Sequence, residues 1–184
     1  MKDLIASFKI LEKKGLPIAR YKLVNNEEDL DMEYPAYLKI NSPEHKAKLG
    51  GVKKVKNLDE AKKALKQLKK IADEIVLQEA VSGKEIIIGL EEDEVFEKVL
   101  LIGLGGRHLG EKRVVFRVPP VSKQEVLDAL KELGIYEEVK ELNLSKLVKI
   151  VRKAATLNVK EADLNPVIVN KQQALIVDAR IELA

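Results

Sequence analysis

Three side chains near the C-terminus offer the plainest chemistry in this sequence: Asp163, Asn165 and Asp178, in EADLNPVIVNKQQALIVDARIELA. One amide and two carboxylates are hard oxygen donors. Such donors suit Mg²⁺, an ion that keeps several waters and shares itself with phosphate oxygens. The two apolar runs that carry them are joined by Asn170-Lys-Gln-Gln173 and read as a hairpin. With Lys171 and Gln172 at the centre of the turn, Asn165 lies opposite Asp178 and Asp163 opposite Arg180. One face then carries Glu161, Asp163, Asn165, Asp178, Arg180 and Glu182. The other carries Ala162, Leu164, Ile168, Leu175, Val177, Ala179 and Ile181. Opposed Cβ atoms are about 4.5–5.5 Å apart, within reach of one small ion. The alternative is a polar face turned to water. Against it, so many carboxylates repel one another unless a cation or Arg180 compensates them. Pro166 also removes a ladder donor, as expected at an edge or a bulge beside a site. A bulge there would shift the register by one.

The elements that must position these groups alternate between helix and strand. Residues 3–14 place Leu4, Ile5, Phe8, Ile10 and Leu11 along one helical face, and Gly15 and Pro17 stop it. Strands are expected at Pro17–Val24 and Pro35–Ile40, with a turn or short helix at NNEEDLD. The stretch Asn41–Gly51 has no period. Its proline, paired glycines and cations read as a loop that approaches a ligand. Asn57-Leu-Asp-Glu60 has N-cap spacing, and Ala61, Ala64, Leu65, Leu68 and Ile71 continue a helix. Strands follow at Glu74–Glu79, Glu85–Leu90, Lys98–Leu104 and Arg113–Val118. A capping box, Ser122-Lys-Gln-Glu125, opens a helix to Leu133, and another helix runs from Ser145 to Leu157. The class is α+β, with a lobe boundary near residues 79–84.

Composition narrows the function. The 184 residues can bury a real core, and the absence of cysteine excludes thiolate metal sites, cysteine nucleophiles and a disulfide scaffold. Lys and Arg (33) nearly cancel Asp and Glu (30), and aromatics are only 4%, which does not resemble a nucleic-acid binder. No apolar run approaches the roughly 20 residues that span a bilayer, and the charged, amphipathic N-terminus is not a signal peptide, so a cytoplasmic protein is expected.

Five blocks in order, LKINSPEHKAKLGGVK (38–53), VLQEAVSGKEIIIGL (76–90), GLGG (103–106), VVFRVPP (114–120) and EADLNPVIV with ALIVDARI (161–181), resemble the ATP-grasp subunit of ADP-forming acyl-CoA synthetases. The resemblance implies an ATP-grasp fold, two α+β lobes with a nucleotide cleft between their sheets. Residues 1–80 would hold the N-terminal helix and the first lobe, and residues 81–184 the second. It implies ATP or ADP and Mg²⁺ as cofactors, with Asp163, Asn165 and Asp178 as metal ligands. Lys39 matches the lysine that reaches the nucleotide phosphates, and Gly50 and Gly51 match the phosphate-covering loop. Glu79 and Val81 match the adenine hinge, and Glu85 the ribose-binding acid. His45 matches the relay histidine that exchanges a phosphoryl group with a phosphohistidine on a partner subunit, and Arg117 an arginine that offsets phosphate or carboxylate charge. No CoA-binding unit is visible, so the resemblance implies a CoA-binding α subunit as partner. It implies no nucleic acid and no membrane.

Departures from the family pattern keep a second reading open. Ala47 and Lys48 stand where the family has a hydroxyl and an acid, and Arg107–Arg113 is basic and shorter, with Glu111 as a stand-in for the missing acid. The alternative is a non-catalytic or regulatory nucleotide-binding paralogue.

Overall fold

The computed structural model describes all residues except His45, Ala47, Lys48 and 106–113. Their contacts group the chain into two compact units. The smaller comprises Lys2–Ile5 and Ala19–Val81, and the larger Met1, Ala6–Ile18 and Ser82–Ala184. Most of the first helix, α1 (Leu4–Lys13), therefore belongs with the larger unit, not with the N-terminal lobe in which it was expected. The residues after it explain why. The Lys153 ammonium donates to Gly15 O at 2.8 Å, and Ile176 N–H donates to Pro17 O at 3.0 Å.

In the smaller unit, β1 (Tyr21–Val24), β2 (Ala36–Ile40), β3 (Val52–Val55) and β4 (Ile75–Glu79) form an antiparallel sheet in the order β1-β4-β2-β3. NNEEDLD forms a 3-10 turn, Glu27–Asp29, closed by a capping box between Asn26 and Asp29. Helix α2 (Leu58–Leu68) starts where Asn57 Oδ1 accepts from Glu60 N–H at 2.9 Å, and it buries Ala61, Ala64, Leu65 and Leu68 against Ala36, Leu38, Ile40, Ile75 and Leu77. The helix ends at Leu68, short of Ile71, which is exposed because the chain is already turning back toward β4. Sequence periodicity misses β3, whose Lys53 and Lys54 suit an edge strand that must not recruit another chain.

In the larger unit, β5 (Lys84–Asp93), β6 (Glu97–Leu104), β7 (Val114–Arg117), β8 (Glu161–Val169) and β10 (Ala179–Glu182) run in the order β10-β8-β5-β6-β7, and β9 (Ala174–Ile176) also pairs with β8. Helices α3 (Lys123–Glu132), α4 (Tyr136–Lys140) and α5 (Leu144–Ala154) belong to one face of this sheet: Arg117 pairs with Glu132 of α3, and Lys84 with Glu138 of α4 at 2.6 Å. Helix α3 begins at the expected capping box, with Ser122 N–H donating to Glu125 at 2.7 Å. Ile86, Ile88 and Leu90 are buried on the helix side. Residues 85, 87, 89 and 91 take the other face.

The hairpin register is the one expected, with Asp163 opposite Arg180 and Leu164 opposite Ala179. A bulge does occur, but between β8 and β5: Ile86 pairs with Val167 and Ile88 with Leu164, so Asn165 and Pro166 together face Ile87. The bulge moves every later β8 residue to the opposite face. Val167, Val169, Ala174 and Ile176 are fully buried, and Ile168 and Leu175 come round to the Glu85 side, contrary to the unbroken alternation expected of them.

The turn between β5 and β6 is held by the Asp93 carboxylate, which accepts from Phe96 N–H and Val95 N–H at 2.9 Å each. These two bonds hold Asp93 below its ordinary value of 3.8. A depressed carboxylate contributes order that is complete above the unfolded value and is lost as pH falls through the lower folded one. The protection factors of the Val95 and Phe96 amides are therefore expected to hold from neutral pH down to about 4 and to fall only below it, whereas in Asp93→Ala they should be low throughout.

Candidate nucleotide and metal site

Lys39 lies on β2, an interior strand flanked by Val52 of β3 and Val76 of β4, and only 6% of it is exposed. An edge lysine snorkelling to water is thereby excluded. Its ammonium lies 5.8 Å from the Tyr37 ring centre, a cation–π contact on the sheet face away from α2. Alternation puts Lys39 there because Leu38 and Ile40 take the apolar face.

Glu79 ends β4. Its carboxylate accepts from Arg20 N–H at 2.8 Å and pairs loosely with the Arg20 guanidinium at 3.8 Å, so the side chain clips β4 to the segment before β1. The Glu79 N–H is committed as well, to Arg20 O at 3.0 Å. Gly50 takes a left-handed conformation (φ +65°) that disfavours a side chain. Gly51 differs from its expected role. Its N–H is committed to Lys46 O at 2.8 Å, and a Cβ there would meet Ile40 at 2.5 Å, so this glycine serves packing rather than an oxyanion. His45, the candidate relay residue, lies outside the described residues.

In the larger unit the remaining candidates lie on β5, on β8 and on the segment before β10. Asn165 N–H donates to Asp178 O at 3.2 Å, which fixes the amide-bearing and carboxylate-bearing residues side by side. Asp178 Oδ1 is shut off from solvent. Asp163 is occupied otherwise, by an ion pair with Arg180 in which both side chains are mostly buried. Among the described residues no group of three or more His, Cys, Asp or Glu side chains could hold a metal. Asn165 and Asp178 offer two oxygen donors of the kind Mg²⁺ takes, and Asp163, expected as a third, is ion-paired with Arg180.

Glu85 opens β5 opposite Ile168. Gly105 packs directly on it, with its N–H bonded to Glu85 O at 3.0 Å, and a Cβ at Gly105 would come within 2.9 Å of Glu85 Cβ. Gly105→Ala is expected to push Glu85 off its place, weakening nucleotide binding about tenfold and costing roughly 1–3 kcal/mol of stability. Titration calorimetry and thermal melting check the two effects. Gly89 stands between Asp163 and Leu101 in adjoining strands, and its missing side chain opens a groove of about 220 Å³ lined by Ile87, Val99, Phe116, Glu161 and Asp163.

Arg117 is not brought to this face. It pairs with Leu100, a buried helix-side residue, and its guanidinium is bound to Glu132 of α3, while its neighbour Phe116 points into the groove. One step of alternation separates the arginine from the face where phosphate charge would be offset.

The fold and these donors define a class: the chain belongs to the ATP-grasp family, whose domain matches residues 3–183. The relatives narrow it. The β subunit of the ADP-forming acetate–CoA ligase I of Pyrococcus furiosus is 31% identical over 95% of this chain and 88% of its own length. The ADP-forming acetate–CoA ligase I of Archaeoglobus fulgidus is 27% identical, and the match covers 30% of that longer protein. Among solved structures, the dinucleotide-forming acetyl-coenzyme A synthetase 1 of Ca. Korarchaeum cryptofilum, with coenzyme A and Ca-AMPCP, superposes with a TM-score of 0.86 at 28% identity, covering 99% of this chain and 93% of that one. A second complex of that enzyme holds coenzyme A and Mg-AMPPCP, with a phosphohistidine segment pointing towards its nucleotide binding site (TM-score 0.82, 28% identity, 100% and 93% covered). Among the described residues no helix is long and apolar enough to cross a membrane.

Proposed function

We propose that this chain is the nucleotide-binding subunit of an ADP-forming acyl-CoA synthetase, acting with a CoA-binding subunit to interconvert acid, ATP and CoA with acyl-CoA, ADP and phosphate. The observation that carries the reading is the C-terminal hairpin, which seats Asn165 beside Asp178 through the Asn165 N–H to Asp178 O bond. Bound there, Mg²⁺ would supply charge neutralisation for the nucleotide phosphates. In the smaller unit Lys39 is assigned to phosphate oxyanions and the backbone from Glu79 to Val81 to the base; in the larger unit Glu85 is assigned to the ribose hydroxyls.

His45 is the residue to which we assign the transfer. A neutral ring nitrogen attacks the terminal phosphorus of ATP, the bond from that phosphorus to the bridging oxygen breaks, and ADP leaves with the electron pair. The phosphoryl group then passes to a histidine of the CoA-binding subunit, and His45 is restored. Incubation of the full chain and its partner with Mg²⁺ and terminally labelled ATP should give an acid-labile label that His45→Ala eliminates. A label that persists in the variant would refute the relay.

Ala47, Lys48 and the basic 107–113 stretch favour a second reading, a nucleotide-binding paralogue without turnover. Tight Mg·ADP binding that survives His45→Ala, with no phosphoryl transfer in the reconstituted complex, would select it.

A further inference from the structure

We propose that Tyr37 is a positioning residue whose ring holds the Lys39 ammonium in place for the nucleotide phosphates, an inference that rests on the nucleotide-binding function proposed above. Tyr37 and Lys39 are alternate residues of β2. Ala36, Leu38 and Ile40 pack in the core with α2, so Tyr37 and Lys39 share the opposite face of the sheet. The Lys39 ammonium lies 5.8 Å from the centre of the Tyr37 ring, within the range at which a ring face attracts a cation. A second cation meets the same ring. Lys54 stands directly opposite Tyr37 on β3, and its ammonium lies 5.9 Å from the ring centre.

The ring does different things for the two lysines. Lys54 is exposed, and water competes with the ring for its ammonium. Lys39 is only 6% exposed on an interior strand, where the attraction counts for more because little water competes. The chemistry of the contact also suits a cation that must meet phosphate. A carboxylate beside Lys39 would cancel the charge that phosphate needs, whereas a ring face attracts the ammonium through its quadrupole and leaves the net charge whole. A lysine stem is flexible, and the ligand has to immobilise it unless the protein has done so beforehand. Tyr37, on the same strand and flanked by β3 and β4, supplies that restraint before the nucleotide arrives.

The test is a double-mutant cycle in the full-length chain. It reads Mg·ADP affinity by calorimetry, melting without nucleotide, and the rate of labelling from terminally labelled ATP with the partner subunit present. Tyr37→Leu should weaken Mg·ADP binding about 3- to 10-fold and slow labelling further, by about 10- to 100-fold, since a displaced charge costs most in the transition state. Tyr37→Phe, which keeps the ring face, should stay within about twofold of the wild type in both. In a Lys39→Met background, Tyr37→Leu should change affinity by less than about twofold, because the ring then has no ammonium to hold. An undiminished effect in that background overturns the assignment, since the ring would then act on the nucleotide or the fold directly. So does a Tyr37→Phe protein as impaired as Tyr37→Leu, and so does an equal loss in Lys54→Met, which would make Lys54 the ring's working partner. Where Tyr37→Leu does not melt cooperatively, fluorinated phenylalanines at position 37 keep the ring's shape and weaken its negative face. Affinity should then fall with each added fluorine, and a flat series overturns the proposal. A wild type that binds no Mg·ADP refutes the nucleotide-binding function itself, whereas wild-type binding that Tyr37→Leu leaves intact refutes this inference alone.

Discussion

Replacing Lys39 with methionine is expected to remove most nucleotide affinity while leaving the protein folded. The side chain is 94% buried on an interior strand, and methionine fills the same volume without a charge. Methionine keeps the buried volume and the contact with the Tyr37 ring, so the protein should still melt cooperatively. Hydrogen bonds to charged groups contribute about 1.5–3 kcal/mol, which predicts Mg·ADP binding weakened roughly 10- to 100-fold. Transfer should fall further, by about 10²–10³, because a fixed cation matters most where charge develops. Calorimetry and the labelling assay separate the two. Undiminished affinity in a folded Lys39→Met protein would remove this residue from the site.

The second large effect is expected at Asp178, and it should differ in kind from the effect at Asp163. On the proposed arrangement Asp178→Ala removes one of two oxygen ligands, carried on residues joined by the Asn165 N–H to Asp178 O backbone bond at 3.2 Å. The Mg²⁺ concentration needed for half-maximal nucleotide binding should rise at least 10- to 100-fold, the range seen when even a supporting group around a metal is lost. Asp163→Asn takes away an ion-pair partner of Arg180 instead. Its main signature should be a lower melting temperature, with the Mg²⁺ requirement shifted less than tenfold. If the two variants raise the Mg²⁺ requirement equally, Asp163 is a direct ligand and the two-ligand arrangement is wrong.

Much of the fold was legible because local signals and periodicity agreed. Asn57 and Ser122 each began a helix where their spacing placed it, and the hairpin register followed from the turn at Asn170–Gln173. The elements that escaped were those whose reasons are not local. Strand β3 is four residues with two lysines, and α4 is five residues without a side-chain cap, so neither carries a periodic signature. The β8 bulge was foreseeable from Pro166, but which partner it would slip against was not, since that depends on β5 from elsewhere in the chain. Among the candidate residues, Lys39, Asn165 and Asp178 were readable as polar residues inside apolar runs. Gly51 and Arg117 were assigned by position in a motif. Their roles turn instead on contacts with Ile40 and Glu132, which no spacing reveals.

The slip at Asn165 and Pro166 also ties function to evolvability. Because two residues of β8 share one partner, the half of the strand before the slip and the half after it bury opposite parities of the sequence. Deleting a single residue there would bring the strand back into step and leave it unable to keep both its oxygen ligands and its valines where they belong. Length changes in this protein are consequently barred at the hairpin's root and confined to its loops, and drift in the donors must proceed by substitution alone.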